Sequence, residues 1–321
     1  MNYFFDYIEV NSVDTEFAPF SFSYGFSIDH LVSSIQQVGL INPPIFKRTK
    51  DGFVLVAGYK RMLAVKKLNW SRVGGLMISE DISPLNCLII NLHDNISTRK
   101  LNEVEKAILI SKLAKYLKPE QIISDYFPLL NLPKHMPVFR LYIWIAESLN
   151  TNVKDQLARG DVSLKAVRLM FENEMSYKDI EIYGKLMSKL KFSFNEQIQL
   201  IEYSQDICRK EKVQLEQLFE ERRIKDIIES KNLTNRDKVK KILAILKEKN
   251  FPKLSYSEKV LKERIQKLPL PEGVEFKVPL YFESPYYKLE VFFKDGHELK
   301  KKLLKIANAD GLELIRDPWK E

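Results

Sequence analysis

Apolar and polar positions alternate in two different rhythms along the first hundred residues. Ile28, Leu31, Val32 and Ile35 recur at helical spacing, and Gly39 ends that helix. The turn Asn42-Pro43-Pro44 leads into Ile45-Phe46-Lys47, a short strand, and Asp51-Gly52 is a hairpin signal before the paired strand Phe53 to Ala57. Gly58 breaks that strand, and Tyr59 through Leu68 returns to the helical rhythm until Asn69-Trp70. Val73 through Ile78 supplies a further strand, which makes a small α/β domain.

From Asn102 the pattern is helical. Asn102 with Glu105 has the spacing of a capping box, opening a helix to about Leu117. Pro119, Pro128, Pro133 and Pro137 punctuate short helices, with Val138 to Ala146 as the most buried. Ser163 opens another helix, and similar starts recur at Ser176/Asp179, Ser193/Glu196, Thr234/Asp237 and Ser255/Glu258. Leu268 to Gly273 is a linker by composition. Beyond it, Val274 to Phe282 and Tyr287 to Phe293 form two strands about a turn at Ser284-Pro285. A helix from Glu298 to Ala307 and the apolar segment Leu312 to Ile315 follow. The expected fold class is α+β, with domains at 1–100, 101–172 (helical), 173–267 (helical) and 268–321 (a small α+β module).

Composition narrows the partners. The chain has 321 residues and a net charge of +8, from 51 basic against 43 acidic side chains, which suits a polyanion. No run approaches the roughly 20 apolar residues of a membrane span, and MNYFFDYIEV lacks the features of a secretory signal, so a cytoplasmic protein is expected. Two distant cysteines and four scattered histidines argue against a disulfide framework and against a zinc site.

The candidate chemistry lies where the strand Phe53–Ala57 meets the following helix. Lys60 and Arg61 occupy that helix's first turn, where the macrodipole favours acids. An anion among them, approached closely over Gly58, would explain two cations there; solvent-facing side chains on an ordinary helix are the other reading. Further on, Asp94 and Asn95 offer adjacent hard oxygens of the kind magnesium takes beside substrate phosphates, and Arg99 lies about one turn later with a fork suited to phosphate. A polar helix end with its own caps is the competing reading of that segment.

In order, Leu31 to Pro44, Val56-Ala-Gly-Tyr-Lys-Arg-Met-Leu-Ala64 and Asp94-Asn-Ile-Ser-Thr-Arg-Lys-Leu-Asn-Glu-Val-Glu-Lys-Ala107 resemble the N-terminal domain of ParB-like partition proteins. That resemblance implies CTP binding, with Gly58, Tyr59, Lys60, Arg61 and Arg99 at the nucleotide and Asp94 and Asn95 at Mg2+. Tyr59 stands where the family has glutamate and Lys60 where it has its first arginine; the family's later arginine falls at Thr98, one position before Arg99. The phosphate motif lacks the cysteine of the related sulfiredoxin chemistry. No catalytic residue is named, and at most a weak CTPase is implied. The resemblance extends to about residue 170 and implies that 101–172 is a helix-turn-helix-like bundle that binds duplex DNA, hence a nucleoid-associated protein. His135 to Leu149 lies at the recognition position, with Arg140 as its DNA-contacting cation. A homodimer is compatible with this reading. Two other classes remain open: an enzyme on the same fold (a nuclease or small-molecule kinase), and an interaction scaffold without nucleotide.

Overall fold

Four short strands with β-branched or aromatic residues build the first sheet. β1 (Phe4–Glu9) pairs antiparallel with β4 (Arg72–Ile78); β4 runs parallel to β2 (Ile45–Thr49), and β2 pairs antiparallel with β3 (Gly52–Ala57). The order is therefore β1-β4-β2-β3. The computed structural model describes residues 2–15, 18–50, 52–278 and 286–315. Asp51 of the expected hairpin turn lies outside them, while Gly52 is already the first residue of β3.

Ile8, Phe46, Leu55, Val73 and Met77 of the sheet pack with Val10, Val13, Met62 and Val65 in one buried cluster. β4 can pass through it because Gly74 and Gly75 carry no side chain. A Cβ on Gly74 would overlap the Phe5 ring, and one on Gly75 the Phe46 ring. α1 (Asp29–Val38) lies beside α2 (Tyr59–Lys67), pinned by a Lys67–Asp29 ion pair of 2.8 Å. α3 (Pro84–Ile96) starts at Ser83, whose hydroxyl accepts from the Asn86 amide at 3.2 Å.

α4 (Glu103–Leu113) opens on the expected capping box of Asn102 and Glu105. It stops at Leu113 rather than near Leu117, because the next residues turn tightly: the amides of both Tyr116 and Leu117 bond back to the Leu113 carbonyl. α5 (Pro119–Gln121) runs on as a π-helical turn, Ile122–Tyr126. α6 (Met136–Glu147) follows, with Pro137 tolerated in its first turn. Four of its residues are buried, against none in α5 and one in the π-helical turn, so the Val138–Ala146 run is the most enclosed of these short helices, as expected. α7 (Thr151–Arg159), α8 (Leu164–Glu172) and α9 (Tyr177–Leu190) start at the side-chain caps Asn150, Ser163 and Ser176.

The chain divides into two compact units, Met1–Ile198 and Gln199–Glu321. The division falls within α10 (Phe194–Glu211). The second unit holds α11 (Leu215–Glu220), α12 (Arg222–Glu229), α13 (Asn235–Asn250) and α14 (Pro252–Lys267). The hairpin of β5 (Val274–Lys277) and β6 (Lys288–Val291) and then α15 (Gly296–Ala307) complete it. Ser255 does not begin a helix. Pro252 takes the first turn of α14, and the Ser255 amide bonds to the Phe251 carbonyl from inside it. α15 starts two residues before Glu298, at the cap supplied by Asp295. The end of the expected strand at Phe282 and the Ser284-Pro285 turn lie outside the described residues. Among the described residues, no helix is long and apolar enough to cross a membrane.

Candidate functional site

β3 ends at Ala57, and Gly58 turns the chain straight into α2 with φ 95° and ψ 27°. A side chain at this position would meet Pro44 at 2.9 Å and Arg61 at 3.0 Å. Glycine is therefore required both for the left-handed backbone and for the close approach of the Asn42-Pro43-Pro44 turn. The first turn of α2 contains no acid. Its leading amides have no acceptor within the helix, and the residues of this turn line a cleft of 480 Å³. Ser23, Leu31, Ile45 and Leu76 line the cleft together with Gly58, Tyr59, Lys60, Arg61, Asp94, Asn95, Thr98 and Arg99. Seven of the eight residues expected from sequence thus share one cavity. Arg140 does not: it is exposed on α6, among the helices.

The cations are held differently. Arg61 donates from Nη1 to the carbonyls of Asn42 and Pro43 at 3.1 and 3.0 Å, and from Nη2 to Asp94 Oδ2 at 2.6 Å. It thereby ties the proline turn to α3. Lys60 lies 4.4 Å above the Phe26 ring and 3.8 Å from Glu105 Oε1. Burial, and then the neighbouring Arg99 charge, hold its pKa below the usual lysine value, against the pull of Glu105. Tyr59 packs edge-on against the same Phe26 ring, at 6.0 Å between centroids.

Arg99 follows the end of α3, where the Thr98 hydroxyl donates to the carbonyls of Asp94 and Asn95. Arg99 Nε donates to Asn95 Oδ1 at 2.9 Å and Nη1 to Glu105 Oε2 at 2.6 Å. Its Nη2 is buried and has no hydrogen-bond partner, an unusual state for a guanidinium nitrogen. Asn95 is fixed in turn, its amide donating to both oxygens of Asn91, while Asn91 donates to the Phe20 carbonyl.

Glu105 is the site residue that the sequence reading used only as a cap. Its side chain is 1% exposed, and it accepts from the amides of Asn102 and Tyr24 as well as pairing with Arg99. No local spacing signals this second use. The cations it meets lie on other elements.

Residues 7–96, which take in β2 to β4 and α1 to α3, match the family model of the ParB N-terminal domain. That segment is ParB-like. The chain is 25% identical to a nucleoid occlusion protein of Geobacillus sp. (strain WCH70) over 167 residues, which are 48% of the chain and 58% of that relative. The match thus spans less than two thirds of the relative's length. Two solved structures resemble it more distantly. The Pnob8-like ParB-N domain is 20% identical with a TM-score of 0.38, over 62% of this chain and 89% of its own. C-terminally truncated ParB of Caulobacter crescentus, complexed with CTP-γ-S, is 18% identical with a TM-score of 0.26, over 52% and 91%.

Magnesium, implied by the ParB resemblance, can be tested against the donors present. Among the described residues no group of three His, Cys, Asp or Glu side chains could hold a metal. Among the described residues Asp94 is the one carboxylate lining the cleft, and Asn95 Oδ1 is occupied by Arg99. One carboxylate is enough for magnesium only when substrate phosphates supply most of the remaining oxygens. The donor set therefore fits a metal brought by phosphate and shared with it, not a metal held by protein alone.

Proposed function

We propose that the cleft binds a nucleoside triphosphate, and CTP by the sense of the three ParB-like motifs. The observation that carries this reading is the buried, unpartnered Nη2 of Arg99, beside Lys60 and Arg61 at the open start of α2. Phosphate oxygens would satisfy that nitrogen and the helix amides together. Leu31, Ile45 and Leu76 offer an apolar surface to a base. Asp94 would hold magnesium once Arg61 transfers its Nη2 from the carboxylate to a phosphate. The metal would screen the phosphate charges there. Calorimetry with CTP, the other nucleoside triphosphates and inorganic tripolyphosphate, each with magnesium or with EDTA, tests the reading. We expect CTP to bind best and magnesium to strengthen it; absence of binding by every triphosphate would remove the proposal.

In the same reading, residues 1–100 form the nucleotide module and residues 101–172 a helix-turn-helix-like module that contacts duplex DNA. Exposed Lys134, His135 and Arg140 at the start of α6 support that role. The helix offers few base-reading groups, since Phe139, Leu141, Tyr142 and Ile145 are buried. Binding would rest on phosphates and fall steeply with salt. Fluorescence anisotropy across a salt series should show Arg140→Ala lowering the slope by about one unit. Together these functions fit a part in partitioning, nucleoid occlusion or related gene regulation.

A further inference from the structure

We propose that Glu105 is the built-in counter-ion of the cleft and sets how tightly it holds an anion. The inference rests on the triphosphate reading of that cleft and assigns to this one carboxylate a control over affinity. A capping glutamate ordinarily sits at the wet first turn of its helix. Glu105 instead has a side chain only 1% exposed, with Oε2 2.6 Å from Arg99 Nη1 and Oε1 3.8 Å from Lys60 Nζ. Its two oxygens also accept the amides of Tyr24 at 3.3 Å and Asn102 at 3.1 Å.

Two cations against this one buried carboxylate leave an uncompensated positive charge, and the free Nη2 of Arg99 marks where it lies. Glu105 offsets part of the repulsion between Lys60 and Arg99 while the cleft is empty. An incoming phosphate then competes with Glu105 for the same guanidinium, and the two anions repel across a poorly solvated gap. The carboxylate thus stabilises the fold and weakens the ligand at once. Glutamine at this position keeps an acceptor for the Asn102 amide and nearly the same shape, but removes the competing charge.

Affinity for CTP and for inorganic tripolyphosphate is measured by calorimetry at fixed low salt. The parent, E105Q, E105D and N102A are compared, with thermal melts of each. Asn102→Ala breaks the same capping box from its other side without changing any charge, because Asn102 Oδ1 accepts the Glu105 amide at 2.9 Å. We expect E105Q to bind both anions at least about tenfold tighter despite a lower melting temperature, because charge-assisted contacts exceed neutral ones by that order. E105D, whose shorter arm draws the charge back from Arg99, should show a smaller gain and stands in if E105Q does not fold. N102A should lose stability with its affinity unchanged. Equal or weaker binding by folded E105Q, or by E105D alone where E105Q is unfolded, overturns the role of Glu105 and leaves the triphosphate reading intact. An affinity rise in N102A matching that of E105Q would also overturn it, by showing that loosening of the cap is the cause. No binding by the parent or any variant overturns both.

Discussion

Replacing Arg61 with alanine removes three hydrogen bonds in one step: two to the carbonyls of Asn42 and Pro43, and one to Asp94. Hydrogen bonds to charged groups contribute about 1.5–3 kcal/mol each, but these three share one side chain and are not additive. Arg61 is 17% and Asp94 27% exposed, so water recovers part of the loss. The expected cost is about 2–4 kcal/mol. For a folding unit such as Met1–Ile198, about 2–4 °C is lost per kcal/mol, a fall of roughly 5–15 °C in the melt of that unit. Differential scanning calorimetry of the intact chain, read on the transition of the first unit, measures it. A double-mutant cycle with Asp94→Ala separates the ion pair from the turn contacts and should give a coupling of about 1–2 kcal/mol. If R61A melts within about 1 °C of the parent, well inside the shift expected of one lost bond, Arg61 does not clamp the proline turn to α3.

Gly58→Ala should destabilise by about 2 kcal/mol or more, since a left-handed backbone and contacts of 2.9–3.0 Å with Pro44 and Arg61 oppose the new methyl group. Urea titration followed by circular dichroism would show it, and an unchanged midpoint would contradict the close approach. Stability should also rise with pH above about 8. Burial lowers the Lys112 pKa to about 8 from 10.5, so between those values the unfolded chain binds the extra proton. Above about 10 the trend should reverse, because the phenols of Tyr24 and Tyr142, raised first by burial and further by Asp155 and Glu103, keep protons that the unfolded chain has lost. Chemical denaturation at successive pH values checks both signs, and Lys112→Met should flatten the first rise.

Local signals carried much of the fold. Ser163, Ser176 and Thr234 each accept a backbone amide at a helix start, as their spacing from the following residues implies. Gly58 marks the strand–helix junction for a reason visible in one residue type. The misreadings come from longer-range competition. β1 escaped notice because its Phe4, Phe5 and Tyr7 are exposed and only Ile8 is buried, so its alternation does not face a core. Ser255 had the spacing of a cap, yet Pro252 fixes the helix start three residues earlier. In the site, residue types could nominate Lys60, Arg61, Asp94 and Arg99. That Arg61 pairs with Asp94, 33 positions away, and that Glu105 serves two cations are outcomes of packing which no spacing encodes.

The two glycines of β4 have a kinetic consequence. Gly74 and Gly75 have little intrinsic preference for extended backbone, and their flanks are covered by rings from other strands, Phe5 on one face and Phe46 on the other. β4 cannot be a nucleus. It gains a surface only after β1 and the β2–β3 hairpin have brought their aromatics alongside, and only then can it join the two halves of the sheet. Conservative truncations at Val73 and Met77 should therefore speed unfolding while leaving the refolding rate nearly untouched, with φ-values close to zero. Of the two inner strands, β4 is then the last to be laid down, and it is the piece that joins β1 to the β2–β3 hairpin.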